Sequence, residues 1–181
     1  MRDPAPPYRG EGPHALWHVS EEPEIRSFTP HRAPTSSEDE PLVWAIDTRH
    51  LPLYWFPRDC PRGTFWAGPN TNDADVVRFL GDRSRRVHAV EPPWDERMRK
   101  ATLHLYRLPE ITFEPYEPAG GYWISRVSVE PIEVLTVDDP TSLHERAGIE
   151  LRVVPRLLDA WQEVIASTLE FSGIRLANAR D

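Results

Sequence analysis

The chain has 181 residues, which favours a single domain with a sizeable core, since domains run to roughly 100–200 residues. Its 21 basic and 29 acidic side chains leave a net charge of −8, so the molecule as a whole repels a phosphate backbone and is not a generic nucleic-acid coat. The longest apolar runs, 42–46 and 51–56, are far below the roughly 20 residues of a membrane-spanning helix, and the polar, proline-rich start has no apolar export segment, so a cytoplasmic protein with no membrane partner is expected.

Residues 1–13 and 29–41 are rich in Pro, Ser, Thr and acids without periodicity; they read as a flexible N-terminal tail and a mobile loop, with residues 14–181 as one α+β domain. Residues 15–19 have the content of a strand, and Ser20 is placed to cap a short turn carrying Ile25 and Phe28. Residues 42–46 form a short apolar strand; Asp47 then caps a helical segment through Tyr54, which Pro52 limits or kinks. Residues 62–67 are a strand, 72–80 a short helix with Asn72 or Thr71 at its cap and Gly81 beyond its end, and 87–90 another strand. One or two helical turns over 94–100 lead into a strand over 102–108. Strand signals at 111–116, 122–129 and 132–137, separated by Pro118-Ala119-Gly120-Gly121 and Glu130-Pro131, predict an antiparallel meander or hairpins. Asp139 caps a short helix ending at Gly148, and 149–154 is a strand. Pro155 opens the best helix, with Leu158, Trp161, Ile165 and Leu169 at helical spacing and Leu157 and Val164 widening the stripe. Seven or eight short strands unevenly mixed with helices predict the α+β class, with a mixed, largely antiparallel sheet and flanking helices.

Three constellations could carry chemistry. His18 and Ser20, two apart on an extended chain, share a face and could grip vicinal hydroxyls of a ribose, or could be a strand residue and a turn cap. Pro57-Arg58-Asp59-Cys60-Pro61-Arg62 follows the aromatic cluster Tyr54-Trp55-Phe56. Two prolines stiffen it, and guanidinium groups ordered in advance lose less entropy on gripping an anion; the alternative is a structural turn with the arginines paired to surface acids. Cys60, the sole cysteine, excludes a disulfide within the chain and would be a nucleophile only with a depressed pKa; otherwise it is a small buried residue. Thirdly, alternation over 122–130 places Tyr122, Ile124, Arg126, Ser128 and Glu130 on one face, either solvated or the wall of a polar cleft in which Glu130 would stabilise a cation.

Other features are weaker. His14 and His18 have helical ligand spacing but lie on loop and strand, so no metal is expected. No glycine-rich phosphate loop is present, and Gly120-Gly121 reads as a hairpin turn. Twenty of the 21 basic residues are arginine and 20 residues are proline, a pattern that genome-wide codon bias or phosphate handling would produce. Residues 78–107 hold eight basic and four acidic side chains, whereas 110–150 hold nine acids and two arginines. The cluster Arg83, Arg85, Arg86 reads as solvated.

The stretches L-W-H-V-S-E-E, L-V-W-A-I-D, P-R-D-C-P-R, H-A-V-E-P-P-W, L-H-L-Y, G-Y-W-I-S and S-T-L-E-F-S-G-I-R-L-A-N-A together resemble an uncharacterised bacterial family of unknown function over nearly the whole chain. More distantly, the aromatic strand ending in H-x-S, the strand and helix after it, and a later strand ending in V-E-P resemble the ADP-ribosyltransferase-like fold, in particular small members such as rifampin ADP-ribosyltransferase. That resemblance implies NAD or a related small nucleotide as ligand, with His18 and Ser20 gripping the nicotinamide ribose and Tyr54 an aromatic wall. Glu130 would be the acid, and Arg58 and Arg62 would neutralise the pyrophosphate. No clear Q/E-x-E motif accompanies these residues. RNA 2′-phosphotransferases share the broad fold and rely on Arg and His, which keeps that activity open, as is a non-catalytic interaction module with a degenerate site. Nothing in the sequence fixes the acceptor or the oligomeric state.

Overall fold

The computed structural model describes residues 15–32, 40–81, 84–117 and 120–180. The tail at 1–13, His14, much of the loop at 29–41, Arg83 and Pro118-Ala119 lie outside these residues. The described residues form ten short strands, mostly antiparallel, with four α-helices, which is the α+β class expected. In chain order the strands are β1 Leu16–Ser20, β2 Val43–Asp47, β3 Arg62–Trp66, β4 Arg86–Val90, β5 Thr102–Leu108, β6 Glu114–Glu117, β7 Tyr122–Ser125, β8 Glu133–Asp138, β9 Glu150–Val153 and β10 Glu170–Ile174. The helices are α1 Asp73–Asp75, which continues as a π turn over Val76–Leu80, α2 Pro92–Lys100, α3 Thr141–Ala147 and α4 Leu157–Ile165. No helix among the described residues is long and apolar enough to cross a membrane.

Local chemistry sets many boundaries. Asn72 accepts from Asp75 N at 2.8 Å and starts α1, and Gly81, at φ 61°, ends the π turn. Asp47 accepts from His50 N at 2.8 Å and opens the 3-10 turn Leu51–Tyr54. Pro92 and Pro93 stand in the first turn of α2, where a missing N–H costs nothing.

The chain divides into two compact units. The unit of residues 15–54 and 102–137 carries a six-stranded sheet in the order β6-β7-β2-β1-β5-β8. Directly paired residues share a face. Leu16, His18 and Ser20 therefore lie beside Leu108, Tyr106 and His104, on the face whose core is Leu16, Val43, Ala45, Tyr106 and Leu108 with Phe28 and Val129. The opposite face carries Trp17, Ile46 and Tyr122 in one row and Trp44 with Ile124 in the next.

The unit of residues 55–101 and 138–180 carries a four-stranded sheet, β10-β3-β4-β9, in which only β4 and β9 run parallel. One face presents Gly63, Phe65, Val87 and Ala89 to Leu157, Trp161 and Val164 of α4. The other face carries Arg62, Thr64 and Trp66 of β3 beside Arg86, His88 and Val90 of β4.

Several sequence expectations are corrected. The strand expected over 122–129 stops at Ser125, because Ser125 Oγ donates to Thr112 Oγ1 at 3.1 Å and accepts from Val127 N at 3.4 Å, a side-chain turn that competes with the ladder. Arg126 then pairs with Glu40 and Glu114, and Val127 is exposed, so the continuous polar face through Glu130 does not form. The hairpin of β6 and β7 is present, but β8 joins the opposite edge of the sheet beside β5, so 111–137 is not a meander. Of the strand expected over 111–116, residues 111 and 112 belong to the 3-10 turn Glu110–Thr112, and the strand begins only at Glu114. The last helix ends at Ile165, which is exposed, and residues 170–174 form a strand with no sequence signal strong enough to have announced it.

Candidate functional site

His18 and Ser20 share a face of β1, as alternation requires. The His18 ring lies 4.7 Å from Phe28, and its Nδ1 is 3.3 Å from the Trp44 carbonyl. Ser20 Oγ accepts from Glu22 N at 3.0 Å, the capping role. Tyr54 packs on the other side of the sheet: its hydroxyl donates to that of Tyr122 at 2.9 Å, and Tyr122 meets Trp44 edge-on. The sheet thus separates Tyr54 from His18 and Ser20. Glu130 is exposed and follows Val129, whose backbone pairs with Phe28.

In the other unit, the stiff segment after Phe56 turns through a Cys60 N to Pro57 O hydrogen bond of 3.0 Å. Arg58 and Asp59 face solvent. Cys60 is fully buried, and that burial pushes its thiol up to about 12, which removes it as a thiolate nucleophile. Arg62 is buried; its Nη1 donates to the Cys60 carbonyl at 2.9 Å, and its guanidinium sits 5.0 Å from the Phe56 ring centre. Of the two arginines singled out, Arg62 alone turns inward.

Its neighbours come from β4 and α3. β4 reads R-V-H-A-V and is buried at every position. Arg86, expected to be solvated, is fully buried with its guanidinium 4.6 Å from the Trp66 ring centre, whereas Arg85 is exposed. His88 lies beside Thr64 and receives His144 of α3, with His88 Nδ1 3.0 Å from His144 Nε2. Phe56 covers both rings, at 5.5 and 5.2 Å, and Trp55 meets His144 edge-on at 5.6 Å. The available signal was the period of two in R-V-H-A-V, which places Arg86 and His88 together opposite Val87 and Ala89.

The electrostatics of this face are positive. Burial, then Arg86, His144 and Arg62, hold the His88 pKa well below the ordinary histidine range. Burial also takes His144 down to about 4, against a raising effect from its bond to the Pro140 carbonyl. Both imidazoles are therefore neutral at pH 7. Among the described residues no group of three or more His, Cys, Asp or Glu is placed to hold a metal ion. The two guanidinium charges on this face attract an anion, while the neutral rings offer it no N–H, since His144 Nδ1 faces the Pro140 carbonyl and His88 Nδ1 faces His144.

These observations define a mostly antiparallel α+β protein with arginine and histidine gathered on a buried sheet face. The chain belongs to a family of unknown function, DUF6886, whose model matches residues 17–179. No curated protein and no solved structure matches it.

Proposed function

We propose that the protein binds a small phosphate-bearing nucleotide, with a phosphate held on the face formed by Arg62, Arg86 and His88. The observation that supports this reading is the burial of both arginines on one sheet face, beside histidines kept neutral by burial first and by the neighbouring guanidinium charge second. Such a field favours an anion over a metal cation or a neutral ligand. Trp55, Phe56 and His144 cover the face, so binding requires that cover to open.

Calorimetry with AMP, NAD and adenosine tests the proposal. The two nucleotides should release heat that adenosine does not, and Arg86→Met, checked for folding by its melting temperature, should weaken them roughly tenfold or more, as loss of a charge-assisted contact does. No heat from any nucleotide at millimolar concentration, or equal binding of adenosine, would remove it.

A second reading, mono-ADP-ribosyl transfer from NAD, is favoured by one observation: His18 and Ser20 share a strand face as a ribose grip requires. It predicts that His18→Ala abolishes NAD binding while leaving AMP binding unchanged.

A further inference from the structure

The hydrogen bonds around His144 and His88 fix the position of each ring proton. His144 Nδ1 is 3.0 Å from the Pro140 carbonyl, which can only accept, so Nδ1 carries the proton. The neutral His144 ring then has a lone pair at Nε2, and this lies 3.0 Å from His88 Nδ1, which must donate. A neutral His88 is left with a lone pair at Nε2. That atom is fully buried and has no hydrogen-bond partner among the described residues. A buried acceptor in this state is costly unless something donates to it. The indole Nε1–H of Trp55, whose ring contacts the same His144 ring, is a buried donor with no acceptor among the described residues.

We propose that His88 Nε2 accepts a hydrogen bond from a P–O–H group, making the face a site for a terminal phosphate monoester or inorganic phosphate in protonated form. The inference rests on the anion-binding reading above and narrows it. A group with an acidic hydroxyl and acceptor oxygens can donate to the orphan His88 Nε2 and accept from the Trp55 indole. Sulfate, fully deprotonated at neutral pH, places an oxygen lone pair against the Nε2 lone pair. Each phosphate of NAD carries one ester and one anhydride linkage and has no P–O–H at this pH, so NAD binds here more weakly than AMP.

The test is competition at pH 6, where about half of a phosphomonoester carries its second proton. Inorganic phosphate and AMP should each bind at least about tenfold more tightly than sulfate, the difference an unsatisfied buried acceptor makes. AMP binding without inorganic phosphate binding assigns the site to the ester; both binding assigns it to the phosphate group alone. His88→Asn keeps an amide N–H near the Nδ1 position for His144 and deletes the Nε2 acceptor, so the preference over sulfate should collapse toward parity. Equal binding of sulfate and phosphate by the wild type, or an unchanged preference in a folded His88→Asn, overturns the inference while leaving anion binding standing. No binding of any anion defeats the anion-binding reading itself.

Discussion

Glu91 shows how one side chain joins distant parts of its unit. It is fully buried at the end of β4, and its Oε1 accepts from Leu157 N at 3.0 Å, at the start of α4. The same carboxylate accepts from Arg180 N, at 3.3 and 3.2 Å from its two oxygens. A carboxylate at a helix N-terminus also meets the positive end of the helix dipole. Glu91→Ala would strand these donors, at a cost of about 2–4 kcal/mol from unsatisfied buried groups, read as a lower midpoint in chemical denaturation. Glu91→Gln keeps an acceptor oxygen and should lose less than half as much. A loss under 1 kcal/mol for the alanine variant would show that the amides find other partners. V-E-P was visible in the sequence as a strand end, but its role as a cap for a helix more than sixty residues away was not, because only the fold brings Leu157 to it.

At the scale of elements, the seat of α4 depends on two absent side chains. Gly63 of β3 pairs directly with Gly173 of β10, and the Trp161 indole lies over both. A Cβ at Gly63 would stand 2.8 Å from Trp161 Cε3, and one at Gly173 would stand 2.7 Å from Leu176 Cδ1 and 2.8 Å from Trp161 Cζ2. Neither glycine has a positive φ, so close approach is the reason for both. Gly63→Ala should therefore destabilise by about 1–3 kcal/mol through overpacking, measurable as a fall in melting temperature. Gly63→Ala with Trp161→Phe should recover part of that loss, because the smaller ring relieves the clash. Additive losses would place the cause elsewhere. The amphipathic stripe announced α4, and its Leu157, Trp161 and Val164 are buried, whereas Ile165, counted in the same stripe, is 41% exposed. Local chemistry was more legible. The Asn72 cap, Gly81 and the Asp47 turn sit where the sequence places them, since each is decided within a few residues. Strand order was not legible. That β8 lies beside β5 depends on pairing across the chain, and β10 has the exposed, glycine-containing pattern of a loop. The candidate site was half visible: Arg62 stood out for its prolines, but Arg86 and His88 looked like a solvated cluster and an ordinary strand.

For the whole molecule, a net charge of −8 conceals a buried positive face, and that face makes stability depend on pH. An unfolded histidine takes up its proton near 6.5. In the fold, His144 does so only at about 4, and His88 is also held well below the ordinary value. Between those limits the unfolded chain binds more protons than the folded one, so stability rises with pH; it is fully present above about 6.5 and is lost as pH falls toward 4. His144 alone contributes on the order of 3 kcal/mol by this route. Glu150, held below the usual carboxylate range by Arg152 and Ser84 against an opposing effect of burial, loses its contribution in the same direction but at lower pH. The window from pH 6.5 to 5 therefore isolates the histidines. Urea unfolding across it should show the wild type losing stability steadily with acid, and a His88→Asn, His144→Gln double variant, less stable at pH 7, should show a much flatter profile. A double variant with the wild-type slope would assign the acid sensitivity to other groups. Phosphate added at pH 6 should raise the wild-type midpoint with the logarithm of its concentration, because binding to the folded state alone shifts the unfolding equilibrium. The double variant, without the Nε2 acceptor, should show little of that rise.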